Sequence, residues 1–286
     1  MSKPTKTGYL SVSEIEKENG EVHYLKPNGS STVQPIALLR LGLFVPTART
    51  GSREATGMDA SDDLTLHFAE KEGYSDIQIT GRRLDVETDF KVWMGIVSCL
   101  FDYKPNSKGY AVIPFDEFIE RCGYPKSRLS KRFRKLIEDS IYRLASTTMK
   151  FSRATDNDRI NSHILHLIEA GKFSHEDDMV HIKPTPELAE LYSVDYKKIL
   201  KVRTLEKLGR KETAKALYLF LEALPENPYP ISMQRLKDRL ALKSASNVQN
   251  SVIRKAMKQL EEIGYLEYTE KKTGHKIEFK IHKRNP

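Results

Sequence analysis

The sequence predicts an α+β fold of two units in tandem behind a polar N-terminal arm. Three observations predict it. One order of elements (helix, short strand, helix, helix, paired strands) occurs twice after residue 88, as a repeat of order and not of residues. The third helix of the second unit has two faces of opposite chemistry, and the basic excess of the chain is confined to its C-terminal third.

The length allows such a division, since 286 residues exceed the common size of one domain. Residues 1–30 read as the arm, 31–192 as the first unit and 193–286 as the second. Hydrophobic residues make up 39%, charged residues 30% and aromatics 9%, which is ordinary for a globular protein. No run approaches the ~18 to 20 apolar residues of a membrane helix. The beginning, MSKPTKTGYL, has no apolar signal core, and Cys99 and Cys122 are the only cysteines, so a reducing cytoplasm is the expected compartment. Two distant cysteines make no zinc site by themselves.

After the arm, Thr32 to Val45 (TVQPIALLRLGLFV) is an apolar stretch that needs a partner surface, and residues 46–62 carry the Gly, Ser, Thr and Asp of a loop. The first unit opens with the apolar helix Asp89 to Phe101. A turn at KPNSKG leads to a short strand, Ala111 to Phe115, and then a helix, Asp116 to Cys122, stopped by Gly123 and Pro125. Lys126 to Leu144 follows as a long amphipathic helix, with Leu129, Phe133, Leu136, Ile137, Ile141 and Leu144 at three- and four-residue spacing. Thr147 to Phe151, Ile160 to Ala170 and Met179 to Ile182 read as strands. In the second unit a helix from Lys211 to Leu224 ends at the turn PENPYP. Ile231 to Met233 is a short strand, Gln234 to Leu240 a second helix and Ser244 to Ile263 a third, ended by Gly264. The strands Tyr265 to Glu270 and Lys276 to His282 close it across KKTG. This is the order of a winged helix-turn-helix, predicted here in tandem.

Such a unit reads DNA when its third helix buries one face and offers the other to the major groove. With Val248 at zero and ~100° per residue, Val252, Ile253, Ala256, Leu260 and Ile263 fall within about 40° to 140°, and Asn250, Arg254, Asn247, Lys258 and Ser251 within about 200° to 300°. The second arc is the expected base-reading face: Asn suits adenine, Arg suits guanine, and Lys and Ser suit phosphates or base edges. Lys255 beside it, and Lys271, Lys272, His275 and Lys276 in the hairpin, are expected on the phosphate backbone. In the first unit Lys126, Arg128, Lys131, Arg132, Arg134 and Lys135 are denser in charge but lack amides, so backbone contact alone is expected there. Residues 193–286 hold 21 Lys and Arg against 11 Asp and Glu, so the whole net charge of +8 lies in that third, which favours a polyanionic partner.

Catalysis finds little support. Gly171-Lys172-Phe173 lacks the upstream glycine of a phosphate loop. A metal-dependent nickase needs two histidines on one face, whereas His163 and His166 on a strand point to opposite faces. Cys99 and Trp93 lie in an apolar helix and read as core. No cofactor, metal or catalytic residue is expected, and the chain reads as a non-enzyme.

Five segments carry a resemblance: TVQPIALLRLGLFVP (Thr32 to Pro46), ITGRRLDVETDFKVWMGI (Ile79 to Ile96), FIERCGYP (Phe118 to Pro125), ALYLFLEALPENPYPISMQRLKDRLAL (Ala216 to Leu242) and IGYLEYTEKKTG (Ile263 to Gly274). On these the chain resembles the RepA-type replication initiators of low-copy, iteron-controlled plasmids. The resemblance implies binding of monomers to repeated origin sequences in double-stranded DNA, and recruitment of the host initiator DnaA and the replicative helicase. It also implies repression of the chain's own promoter, a role in copy control, and an inactive homodimer that chaperones convert to monomers. The place of action would be the bacterial cytoplasm, on plasmid or nucleoid. The alternatives are a dedicated winged-helix transcriptional repressor, which would bind its operator without supporting replication, and a nickase, which would open supercoiled circles.

Overall fold

The computed structural model describes residues 8–10, 13–16, 22–40, 42–46, 74–81, 84–154, 160–174, 176–194, 197–240, 242 and 244–285. The predicted loop at 46–62 lies outside them from residue 47 onward. The arm is tied down where it is described. Strands β1 (Ser13–Glu16) and β2 (Val22–Leu25) pair antiparallel. Leu10 is buried, the Tyr9 and Leu10 amides donate to the Leu100 carbonyl at 2.7 and 3.0 Å, and the Tyr9 hydroxyl reaches the Thr185 carbonyl at 2.8 Å. Lys26 adds an ion pair to Asp102 at 2.6 Å.

The apolar stretch becomes β3 (Ser31–Pro35), α1 (Ile36–Arg40) and β4 (Phe44–Val45), with its apolar side chains almost wholly covered. Next come β5 (Tyr74–Thr80) and β6 (Leu84–Asp85), the latter parallel to β4. Helix α2 (Asp89–Asp102) is buried nearly all round, as its continuous apolar sequence requires. Its start is held by carboxylates: Asp85 accepts the Glu87 and Thr88 amides, and Asp89 accepts the Asp85 amide at 2.9 Å. Trp93 donates to Gln34 on β3 at 2.8 Å. Gly95 admits Cys122, because a Cβ there would stand 2.3 Å from its sulfur.

Strand β7 (Ala111–Pro114) and helix α3 (Phe115–Arg121) follow, then α4 (Lys131–Ala145). The long helix begins five residues later than the periodicity suggests. Ser130 accepts the Phe133 amide as N-cap, and the residues before it form a separate turn in which the Arg128 amide donates to the Pro125 carbonyl at 3.0 Å. Leu129 therefore sits before the helix and is 43% exposed. The strands that follow are β8 (Thr148–Ala154), β9 (Ile160–His166), β10 (Ala170–Ser174) and β11 (Met179–Lys183). The expected strand Ile160 to Ala170 ends at His166, and β10, which starts at Ala170, is an additional strand. β9 joins a sheet of order β5-β8-β9, and β10 joins one of order β10-β11-β7.

Helix α5 (Pro186–Val194), strand β12 (Lys197–Lys201) and helix α6 (Val202–Lys207) connect to the second unit. β12 pairs antiparallel with β3, so the apolar stretch near the N-terminus finds its partner at the junction. The second unit contains α7 (Glu212–Glu222), β13 (Ile231–Ser232), α8 (Met233–Leu240), α9 (Ser246–Glu262), β14 (Leu266–Thr273) and β15 (Lys276–Arg284). Its sheet order is β13-β15-β14, so the short strand pairs with the second strand of the hairpin, as β7 does with β11. Buried Arg239 of α8 donates to the Leu39 carbonyl of α1, tying this unit to the stretch before it. Arg284, at the end of β15, donates to the Leu221, Leu224, Pro225 and Glu226 carbonyls and closes the end of α7.

Candidate nucleic-acid interface

Helix α9 buries Ile253, Ala256, Met257 and Leu260. That stripe is turned some way from the one drawn on the sequence: Met257 joins it, Val252 and Ile263 are half-buried and Val248 is 47% exposed. The packing partners α7 and α8 decide this rotation, which a wheel drawn on an isolated helix does not contain. The consequence falls on Asn250. It is half-buried, and its amide oxygen is enclosed without a hydrogen-bond partner among the described residues. The rotation thus places Asn250, expected among the base-reading residues, at the edge of the open arc and nearer the core than its neighbours.

The remaining arc is open. Asn247, Ser251, Arg254, Lys255 and Lys258 are all exposed, and Lys255 and Lys258 have no acidic partner among the described residues. The start of the helix is fixed by side chains outside the predicted face. Gln249 donates to the Leu242 and Ser244 carbonyls at 2.8 and 2.6 Å, and Lys237 of α8 donates to Ser246 at 2.7 Å. Together they lock the turn between α8 and α9. Gln and Lys at these positions give no periodic signal, so only the turn geometry reveals them.

The hairpin is longer than expected, since Lys271 and Lys272 belong to β14 and the turn is Gly274-His275. Gly274 has φ of 59°, the left-handed value that the first central position of a two-residue hairpin turn demands. Lys271, Lys272, His275 and Lys276 are exposed around this tip, with Lys276 also 2.8 Å from Glu278. Glu270 stands on the inner face of the hairpin, opposite buried Phe279, and reaches back to α9. Its carboxylate accepts Nε of Arg254 at 3.0 Å and Nη2 at 2.7 Å, and this pairing raises the already high pKa of the guanidinium. The alternation in YLEYTE carries the signal for it: Leu266, Tyr268 and Glu270 share a face.

In the first unit most of the cations have a partner within the chain, which for Lys126 and Lys135 lies at the exposed surface. Arg134, expected on the phosphate backbone, forks onto Asp178 and lies over the Phe115 ring, 4.2 Å from its centre, so its charge is already shared within the chain. Lys135 pairs with Asp139 at 2.7 Å, Lys126 with Glu120 at 3.1 Å, and Arg128 covers Phe133 at 4.4 Å. Lys131 and Arg132 are exposed and have no ion pair among the described residues. Arg143 is drawn inward to Asp89, whose carboxylate also accepts Ser140 at 2.6 Å.

The other side chains considered for chemistry are engaged elsewhere. His163 stacks on Phe151 at 5.1 Å, whereas His166, on the opposite face of β9, meets Thr148 at 3.0 Å. Cys99 and Cys122 are buried, and burial pushes the Cys99 thiol up to about 12, which keeps it protonated.

Comparison with known proteins adds to this geometry. A family model described as initiator Rep protein, WH2, matches residues 232–282, from the end of β13 into β15. The chain is 45% identical over 279 residues to the replication protein RepA of Salmonella typhi, spanning 96% of this chain and 78% of that protein. It is 44% identical over 278 residues to the RepFIB replication protein A of Escherichia coli strain K12, spanning 95% and 85%. Among solved structures, the Pi initiator protein in complex with iteron DNA superimposes with a TM-score of 0.44 at 13% identity, covering 70% of this chain and 96% of that one.

Proposed function

The chain belongs to the family of RepA replication proteins, and from that premise we propose that it initiates plasmid replication by binding repeated origin sequences through α9 and the β14-β15 hairpin. The observation that carries this reading is the continuous exposed surface of Asn247, Ser251, Arg254, Lys255 and Lys258 beside the cationic tip formed by Lys271, Lys272, His275 and Lys276. Amide, hydroxyl and guanidinium groups at the start of a helix suit base edges, and the lysines around them suit phosphates.

The shared strand pairing supports reading both units as winged helices in tandem, with β8 and β9 as an insertion between the third helix and the hairpin of the first. In this reading Lys131 and Arg132, with Lys126, Arg128 and Lys135 around them, hold backbone phosphates and fix the orientation of the first unit. The chain acts as a monomer on each repeat, forms a homodimer that does not initiate, represses its own promoter and recruits the host initiator and helicase in the bacterial cytoplasm. It performs no chemistry of its own.

The test is a titration of the purified chain against a cognate repeat array and scrambled DNA at ~0.15 M salt, where a site-specific initiator gives a ratio of ~10³ or more. Equal weak binding to both would overturn the reading. Specific binding without maintenance of a plasmid that carries the cognate origin would point instead to a dedicated repressor.

A further inference from the structure

The pairing of Arg254 with Glu270 deepens the proposed function, and its meaning rests on α9 being the helix that meets the bases. A guanidinium has two hydrogen-bonding edges, the side edge of Nε and one Nη, and the end edge of both Nη atoms. Glu270 takes the side edge of Arg254: Nε lies 3.0 Å from both carboxylate oxygens and Nη2 lies 2.7 Å from one. Nη1 makes no hydrogen bond or ion pair among the described residues, and the Arg254 side chain remains 44% exposed. The end edge is the fork that matches O6 and N7 of guanine.

Glu270 is itself well fixed. It lies within the paired part of the hairpin, one residue before the exposed Lys271, on the inner face with Tyr268 and opposite fully buried Phe279. A carboxylate at that place does two things. It restrains a long side chain that otherwise loses rotamer freedom on binding, which lowers the cost of the specific contact. It also sets a negative charge close to the nucleic acid, which lowers affinity for every sequence and leaves a guanine contact to offset it.

We propose that Glu270 is a positioning residue that aims the end edge of Arg254 at a guanine and so sets base preference at one position of the repeat. The test uses the full chain and duplexes that the unmodified protein selects from a randomised library, with each position then varied singly at ~0.15 M salt. Arg254→Ala is expected to lose about ten- to a hundredfold preference for guanine at one position. Glu270→Gln and Glu270→Ala are expected to weaken the preference at that same position several-fold, to leave other positions unchanged, and to bind scrambled DNA at least as well as the unmodified chain. The double variant should discriminate no worse than Arg254→Ala alone, the non-additivity expected of two residues acting as one unit. Thermal melts of each variant report folding separately.

Tighter cognate binding by Glu270→Gln with the guanine preference intact would overturn the proposal and make the pair a competing contact. An intact preference with unchanged affinity would overturn it as well. If Arg254→Ala altered no position while specific binding persisted, base reading by Arg254 would fail and the proposal with it, whereas initiation through α9 would stand.

Discussion

Helices α4 and α9 each follow a helix, a short strand and a second helix, and both are rich in cations, yet the cations have different fates. On α4, Arg134 is held by Asp178, Lys135 by Asp139 and Arg143 by buried Asp89. On α9, Lys255 and Lys258 stand without acidic partners among the described residues, and Arg254 is held by a residue of the hairpin that leaves half of its guanidinium open. The difference teaches that the number of cations on a helix does not measure how many phosphates or bases it can meet. What matters is whether the fold supplies an acid within reach, and which edge of the cation that acid covers.

The largest effect expected from this contrast is on stability. Removing Asp89 leaves Arg143 and Ser140 without their shared acceptor in the interior. Breaking a buried pair in this way costs about 3 to 5 kcal/mol. Urea unfolding of Asp89→Ala should show that loss, while a small change would mean that α4 is not anchored through its charges. Next in size is Arg254→Ala, expected to cost ~1 to 3 kcal/mol at the cognate site and to relax one base position. Arg134→Ala should instead lower stability with little change in DNA affinity. Equal binding losses for the two variants would erase the distinction between the helices.

A smaller effect concerns pH. Burial, with the nearby charge of Asp89, pushes the Asp85 carboxyl from its ordinary 3.8 up to about 6. The folded state therefore holds that proton more tightly than the unfolded one. The resulting stabilisation is complete below the unfolded value and is lost as pH rises through about 6. Asp85→Asn keeps an oxygen for the Glu87 and Thr88 amides and removes the charge, so it should be more stable than the unmodified chain at pH 7 to 8, by ~1 to 2 kcal/mol, with the gain vanishing near pH 4. A pH-independent difference between the two proteins would refute this.

The smallest effects belong to the free lysines. Lys258→Ala and Lys255→Ala should each weaken cognate and random DNA alike and lower the slope of log affinity against log salt by about 1. Lys135→Ala, whose charge is already shared with Asp139, should change that slope less. A Lys135 slope change as large as that of Lys258 would show that an intrahelical pair does not withhold a cation from phosphate.

Much of this molecule is written locally. The amphipathic period of α9, the buried sequence of α2, the turn residues around the hairpin and the four-residue spacing of Lys135 and Asp139 all concern residues close in the chain, whose relative geometry the backbone period already fixes. The sequence by itself therefore determined the order of elements from α7 to β15, the family, and a polar last helix beside a basic hairpin. Contacts between distant residues were decided only by tertiary packing. The seat of α9 against α7 and α8 turned Asn250 inward, and Asp178 claimed Arg134 from 44 residues away. β12 completed β3 at the junction of the units, and Glu270 took one edge of Arg254. The physical reason is that hydrophobic patterning specifies which face is buried to within part of a turn, whereas the partner of a single polar group depends on ångström-scale placement that only the packed core sets.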